Sequence, residues 1–145
     1  MKVLIFPINS LVLSDVIQRL GHEPLTMMGE MRSRSERWKG RGSVEGAFEP
    51  RRGLKYAPVE VPSGVRGRLD AIGSLIEKAD AAVIMEDADF GYGCGGCART
   101  NELVPYIVAQ QGIPYVKVNC PTDLDSAKVM VQKIKDFLEG LEVSK

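Results

Sequence analysis

Histidine and tryptophan each occur once in this chain of 145 residues, and cysteine only three times. That scarcity bounds the metal chemistry available. A structural zinc site takes four ligands, mostly Cys and His. A site here would need all three cysteines and His22, or a carboxylate from Asp87 or Asp89. His22 follows the first predicted helix and falls toward the opposite edge from the cysteines. An odd cysteine count also fits poorly with a secreted disulfide framework. No apolar run approaches the roughly 18 residues that a membrane-spanning helix requires. The opening MKVLIFPINS has one lysine and an apolar run cut short by Pro7, with no small-residue cleavage site beyond it. It reads as a core strand and not as a secretory signal. These absences together point to a cytoplasmic protein with no membrane association.

Several motifs are missing as well. There is no GxxxxGKS/T phosphate loop and no GxSxG nucleophile elbow. No nucleic-acid motif is present and the formal net charge is zero, so nucleic acid is not a favoured partner. The charge is nonetheless uneven. Residues 29–68 hold ten Lys/Arg against five Asp/Glu, a surplus of five cations that the rest of the chain offsets. That segment is a candidate contact surface for an anionic cofactor or an acidic protein partner.

The length suits one domain with one core. Lys2 to Phe6 (KVLIF) reads as a buried strand, followed by a helix that Asn9 or Ser10 caps and Gly21 ends. Glu23 to Met28 reads as a weak edge strand, since Pro24 cannot donate to a ladder. Residues 29–66 are polar, rich in Gly and Pro, and show no sustained period, so they read as a basic insertion. Regular alternation resumes with a helix over Leu69 to Lys78, a strand at Ala81 to Met85, a helix over Leu103 to Gln111 and a strand at Tyr115 to Val118. Thr122 and Asp125 resemble a capping box for a last helix that Gly140 would stop. Strands alternating with helices predict a single doubly wound α/β domain over 1–145, Rossmann- or flavodoxin-like, with a mostly parallel four-stranded sheet of order 2-1-3-4.

Such sheets bind ligands beyond the carboxyl ends of their strands, where the strand order reverses. That edge receives Asn9 and Ser10 from the first loop, the stretch FGYGCGGCARTN (90–101) from the third, and Cys120 from the end of the fourth strand. Cys94 and Cys97 form a glycine-flanked CxxC. Glycine lets the backbone approach whatever the sulfurs hold. The helix that follows turns its positive end toward the loop and, with Arg99, favours thiolate. Cys94, Cys97 and Cys120 are therefore candidate ligands, with Asn9, Ser10, Arg99 and Thr100 as candidate cofactor contacts. Three thiolates with an open fourth position suit an iron–sulfur cluster first. A dithiol redox pair, with Cys94 and Cys97 as catalytic thiols, ranks second, and zinc ranks third. Burial as a small hydrophobe competes with all of these, most strongly at Cys120. Glu86, Asp87 and Asp89 have the chemistry for magnesium, but such residues are common where a strand becomes a loop.

The opening MKVLIFPINSLVLSDVIQRLGHEPL, the basic MRSRSERWKG and the block DADFGYGCGGCARTNELVPYIVAQQGIPYVKVNCP resemble the methanogenesis marker protein 5 family. The resemblance implies the anaerobic cytoplasm of methane-producing archaea, where thiolates and iron–sulfur clusters persist. It further implies an accessory role in methane formation, such as maturing or activating methyl-coenzyme M reductase, with segment 29–66 contacting a partner of that machinery. A small dithiol oxidoreductase and a non-catalytic binding module stand as the alternatives, and a homo-oligomer is compatible with each.

Overall fold

A computed structural model describes residues 1–37, 48–86 and 95–143. The β-branched run KVLIF forms β1 (Lys2–Phe6), with its last four residues buried. Burial on consecutive residues means that both faces of the strand are covered, as in a parallel sheet between helical layers. α1 (Leu11–Arg19) starts where Ser10 Oγ accepts the Leu13 N–H at 3.2 Å. It ends before Gly21, whose φ of 83° is the left-handed conformation glycine adopts at least cost. β2 (Glu23–Leu25) is short, and α2 (Met27–Arg37) follows directly. A 3₁₀ turn at Arg52–Lys55 precedes α3 (Ser63–Ile76) and β3 (Ala81–Glu86). α4 (Gly95–Gln110), β4 (Tyr115–Asn119) and α5 (Leu124–Val143) complete the described chain.

All described strand pairs are parallel, in the order β2-β1-β3-β4. The register sets Leu4 beside Leu25 and Ala82, and Val83 beside Val116. Alternate residues of β1 feed two cores. Leu4 and Phe6 join Ile72, Leu75 and Ile76 of α3 and Val104 and Val108 of α4 on one face. Val3 and Ile5 join Leu13 and Ile17 of α1 and Ile134 and Leu138 of α5 on the other. This is the doubly wound α/β architecture expected from the sequence.

The region that reads as a structureless insertion differs most. Met27 and Met28 begin α2 and do not extend β2, and α3 starts at Ser63, six residues before the predicted Leu69. α2 is held both by Met27 and Met31, which pack on the α3/α4 core, and by a buried ionic cluster. Arg34 Nε donates to Glu30 Oε1 at 2.7 Å and Nη1 donates to Asp70 Oδ2 of α3 at 2.5 Å. Lys78 Nζ and Ser74 Oγ donate to the two Glu30 oxygens at 2.7 and 3.1 Å. Glu30, Arg34 and Asp70 are all buried. Burial alone would raise the Glu30 carboxyl, but hydrogen bonds from Lys78 and Arg34 hold it below its ordinary range.

Residues 48–57 lie as a strap across α3, and three glycines set how closely. A β-carbon at Gly73 would overlap the Tyr56 ring, and one at Gly53 would overlap the Arg66 carbonyl. At Gly67 the nearest atom would be Phe48 Cβ at 3.1 Å. Arg66 ties the strap down by donating to Pro50 O at 3.0 Å, and it also donates to Val61 O at 2.9 Å. At the far end Tyr56 OH donates to Glu77 Oε1 at 3.1 Å, and the Lys55 ammonium pairs with the same oxygen.

The helix termini also depart from the sequence reading. Asp123, not Thr122, caps α5, accepting the Ser126 N–H at 2.7 Å while Ser126 Oγ accepts the Asp123 N–H at 3.1 Å. α5 continues through Gly140 to Val143. α4 runs through Pro105 and starts eight residues earlier than predicted, so Cys97 lies in its first turn. No helix among the described residues is long and apolar enough to cross a membrane.

Candidate functional site

The β1–α1 turn, the opening of α2, the start of α3, the first turn of α4 and the loop after β4 all stand at the carboxyl edge of the sheet. This follows from parallel strands joined by helices. Asn9 is exposed there, whereas Ser10 spends its hydroxyl on the α1 cap. Thr100 is buried within α4. Cys94, Asp87 and Asp89 lie outside the described residues, and Cys97 and Arg99 are placed by backbone alone.

Cys120 is a half-buried free thiol that packs against the α1/α5 side of the sheet. α4, which carries Cys97, packs on the other side, with α3. The topology thus brings Cys97 and Cys120 to one edge but into different layers. The Cys120 N–H donates to Glu86 O at 3.2 Å, extending the β3–β4 ladder by one bond. The Glu86 carboxylate accepts from Lys117 Nζ at 2.6 Å, which raises the Lys117 pKa. The acidic end of β3 is thereby occupied by a cross-strand pair of exposed groups. His22 is at the amino edge, its Nδ1 3.4 Å from the N-terminal ammonium, and so lies remote from Cys97 and Cys120.

Sequence reasoning misses a cleft of about 470 Å³ at the same edge. Met27, Phe48 and Pro50 give it apolar surface, and Asn9, Ser63, Gly64 and Arg68 give it polar surface. Of these, only Asn9 is a candidate from the sequence. The others come from the segment that reads as a loop or from its borders, and its one signal is three aromatic residues spread through polar sequence. The basic surface is smaller than composition suggests. Arg34 is buried between two carboxylates, and Arg66 is bonded to the Pro50 and Val61 carbonyls.

Residues 1–141 match an archaeal family described as "Uncharacterized protein conserved in archaea (DUF2112)". The chain belongs to this family. It is similar to the uncharacterized protein MJ0404 of Methanocaldococcus jannaschii, with 47% identity over 144 residues, covering 97% of this chain and 95% of the relative. No solved structure matches it.

Proposed function

We propose that this DUF2112 protein is a cytoplasmic accessory factor of methanogenesis, acting in the maturation or activation of methyl-coenzyme M reductase through a thiol site at the carboxyl edge of its sheet. The resemblance to the methanogenesis marker protein 5 family supplies the biological setting, and membership of an archaeal family accords with it. The observation that carries the thiol site is the position of Cys97 in the first turn of a 16-residue helix at that edge. The helix N-terminus favours thiolate, the form that ligates metal and attacks disulfides.

The donor chemistry fits an iron–sulfur cluster held by Cys94 and Cys97, with Cys120 as the third thiol. Among the described residues, no group of three His, Cys, Asp or Glu forms a competing metal site. Such a cluster would supply one-electron transfer. Because Cys120 packs in the layer opposite α4, it is the weakest of the three candidate ligands. Anaerobic purification with iron and acid-labile sulfide analysis tests the reading. Iron and sulfide should be stoichiometric in the wild type and absent in Cys94→Ser and Cys97→Ser. Colourless, iron-free protein after anaerobic reconstitution would overturn the cluster.

The helix-start position of Cys97 also favours a second reading, a dithiol oxidoreductase cycling Cys94 and Cys97. It predicts a thiol that alkylates below the free value of about 8.5 and a Cys94–Cys97 disulfide on oxidation. A partner docks, in either case, against the cations that stay exposed on the basic segment, among them Arg32, Arg51 and Arg52.

A further inference from the structure

The cleft beside Asn9 has the dimensions of a small-molecule site, and none of its lining comes from α4 or β4, the elements that carry or adjoin Cys97 and Cys120. Its volume of about 470 Å³ falls inside the range of roughly 300–1,000 Å³ that ligand pockets occupy. It lies beyond the carboxyl end of β1, the strand flanked by β2 and β3 at the reversal of strand order, where parallel α/β sheets place their ligands.

Met27, Phe48 and Pro50 line the cleft with a thioether, an aromatic ring and a pyrrolidine, surfaces that suit a flat apolar body. Its polar side chains are those of Asn9, Ser63 and Arg68. Arg68 already has a partner within the chain, and a charged ligand would have to compete with it. The nearby acidic groups are engaged as well. Glu30 and Asp70 are committed to Arg34 and Lys78, and Glu49 Oε1 accepts the Arg51 N–H at 3.0 Å. Asn9 and Ser63 are exposed, and among the described residues their side chains meet no hydrogen-bond partner. The groups left for a ligand are therefore neutral: a carboxamide, with N–H donors beside a carbonyl acceptor, and a hydroxyl. A carboxamide is matched by a planar edge that sets an acceptor beside a donor, so that two hydrogen bonds form in one plane. A lactam ring has that edge.

Backbone bonds hold both the amide and the apolar wall. Asn9 sits in a turn closed by the Ser10 N–H donating to Pro7 O at 2.9 Å, and Ser10 itself caps α1. The Met27 N–H donates to Ile8 O at 3.4 Å, which joins the start of α2 to the same turn. On the strap, Phe48 approaches α3 because Gly67 lacks a side chain, and Pro50 is held through its carbonyl by Arg66. The Glu49 N–H between them reaches Asp70 Oδ2 at 3.4 Å. A site fastened at so many points loses little freedom when a ligand enters.

We propose that this cleft binds a neutral, flat heterocycle with a lactam edge, its ring body against Met27, Phe48 and Pro50 and its edge on the Asn9 carboxamide. Titration with isocarbostyril, isoquinoline and naphthoate, followed by amide NMR shifts, tests it. The three share a bicyclic body and differ at the edge, which is a neutral lactam, a lone acceptor and a carboxylate in turn. Isocarbostyril should bind a single site about tenfold tighter than either of the others, the effect of one or two net hydrogen bonds. The shifts should centre on Asn9, Met27, Phe48 and Gly64. Asn9→Ala should bring isocarbostyril to within about twofold of isoquinoline, whose own affinity stays nearly unchanged.

Gly64→Leu provides a second variant expected to fold, because a β-carbon there meets nothing within 4 Å. By filling the cleft it should weaken isocarbostyril and isoquinoline about tenfold, with the circular dichroism spectrum unchanged. Naphthoate as the tightest probe, equal affinity for isocarbostyril and isoquinoline, or no binding of any probe to the wild type would overturn the proposal. Binding unaffected by both substitutions would overturn it too. Metal content in the cysteine variants is a separate measurement, so this site and the thiol site fail or stand independently.

Discussion

One methyl group separates glycine from alanine, and its effect differs sharply between two helices of this fold. At Gly73 the added carbon would overlap the Tyr56 ring, and the ring is itself anchored by its hydroxyl on Glu77. Gly73→Ala is expected to destabilise by about 1–3 kcal/mol, the usual cost of overpacking, measured by urea unfolding. Gly140, inside α5, should respond oppositely, because a β-carbon there would meet no atom within 4 Å. Gly140→Ala should stabilise by about 0.5–1 kcal/mol, because alanine loses less backbone entropy in a helix. Glu30 carries the pH dependence at this scale. Its folded carboxyl sits below the ordinary value, so its contribution is full above the unfolded pKa of about 4.3 and is lost as pH falls through the lower folded value. Glu30→Gln should therefore lower stability at neutral pH and flatten the acid limb of a stability–pH curve.

Among the elements, those legible in the sequence are the ones built on apolar pattern. β1, β3 and the cores of α1 and α5 show themselves as apolar runs or stripes, and the sheet order follows from their alternation with helices. α2 is illegible because only Met27 and Met31 of MMGEMRSRSER pack on the core, and its other buried contacts are charges, to which hydrophobic periodicity is blind. The first turns of α3 and α4 escape for a related reason. SGVRGR and GGCART are glycine-rich and read as loop, yet Gly67 is there to admit the strap. The cleft is hidden with them, since most of its lining comes from α2, the strap and the start of α3. The same contacts give a prediction for α2. Arg34→Ala leaves Glu30 and Asp70 buried without their shared cation, an arrangement that costs about 3–5 kcal/mol. Hydrogen exchange should show faster amide exchange in α2 and in the strap near Glu49, with β1 and β3 changed less.

For the whole molecule, the carboxyl edge gathers the cleft, the opening of α4 and Cys120 on a sheet whose helical layers are otherwise packed. The two layers give the cysteines unequal standing. On the proposed cluster reading, Cys120→Ser should retain more iron than Cys94→Ser after identical anaerobic preparation, because the Cys120 thiol packs with the α1/α5 core. Equal loss in the two variants would place Cys120 among the ligands on the same footing as Cys94.

The buried Glu30–Arg34–Asp70 contact also bears on how the molecule meets heat and cold. Hydrophobic attachment weakens on cooling, whereas the desolvation penalty of buried ions falls as temperature rises. The sheet and the helices packed on it follow the first rule, and the ionic part of the α2 attachment, which Met27 and Met31 supplement, follows the second. Warming therefore favours the α2 attachment relative to the rest of the fold, and with it the anchoring of the strap through Asp70. Heat is therefore the condition under which the ionic part of this attachment counts most.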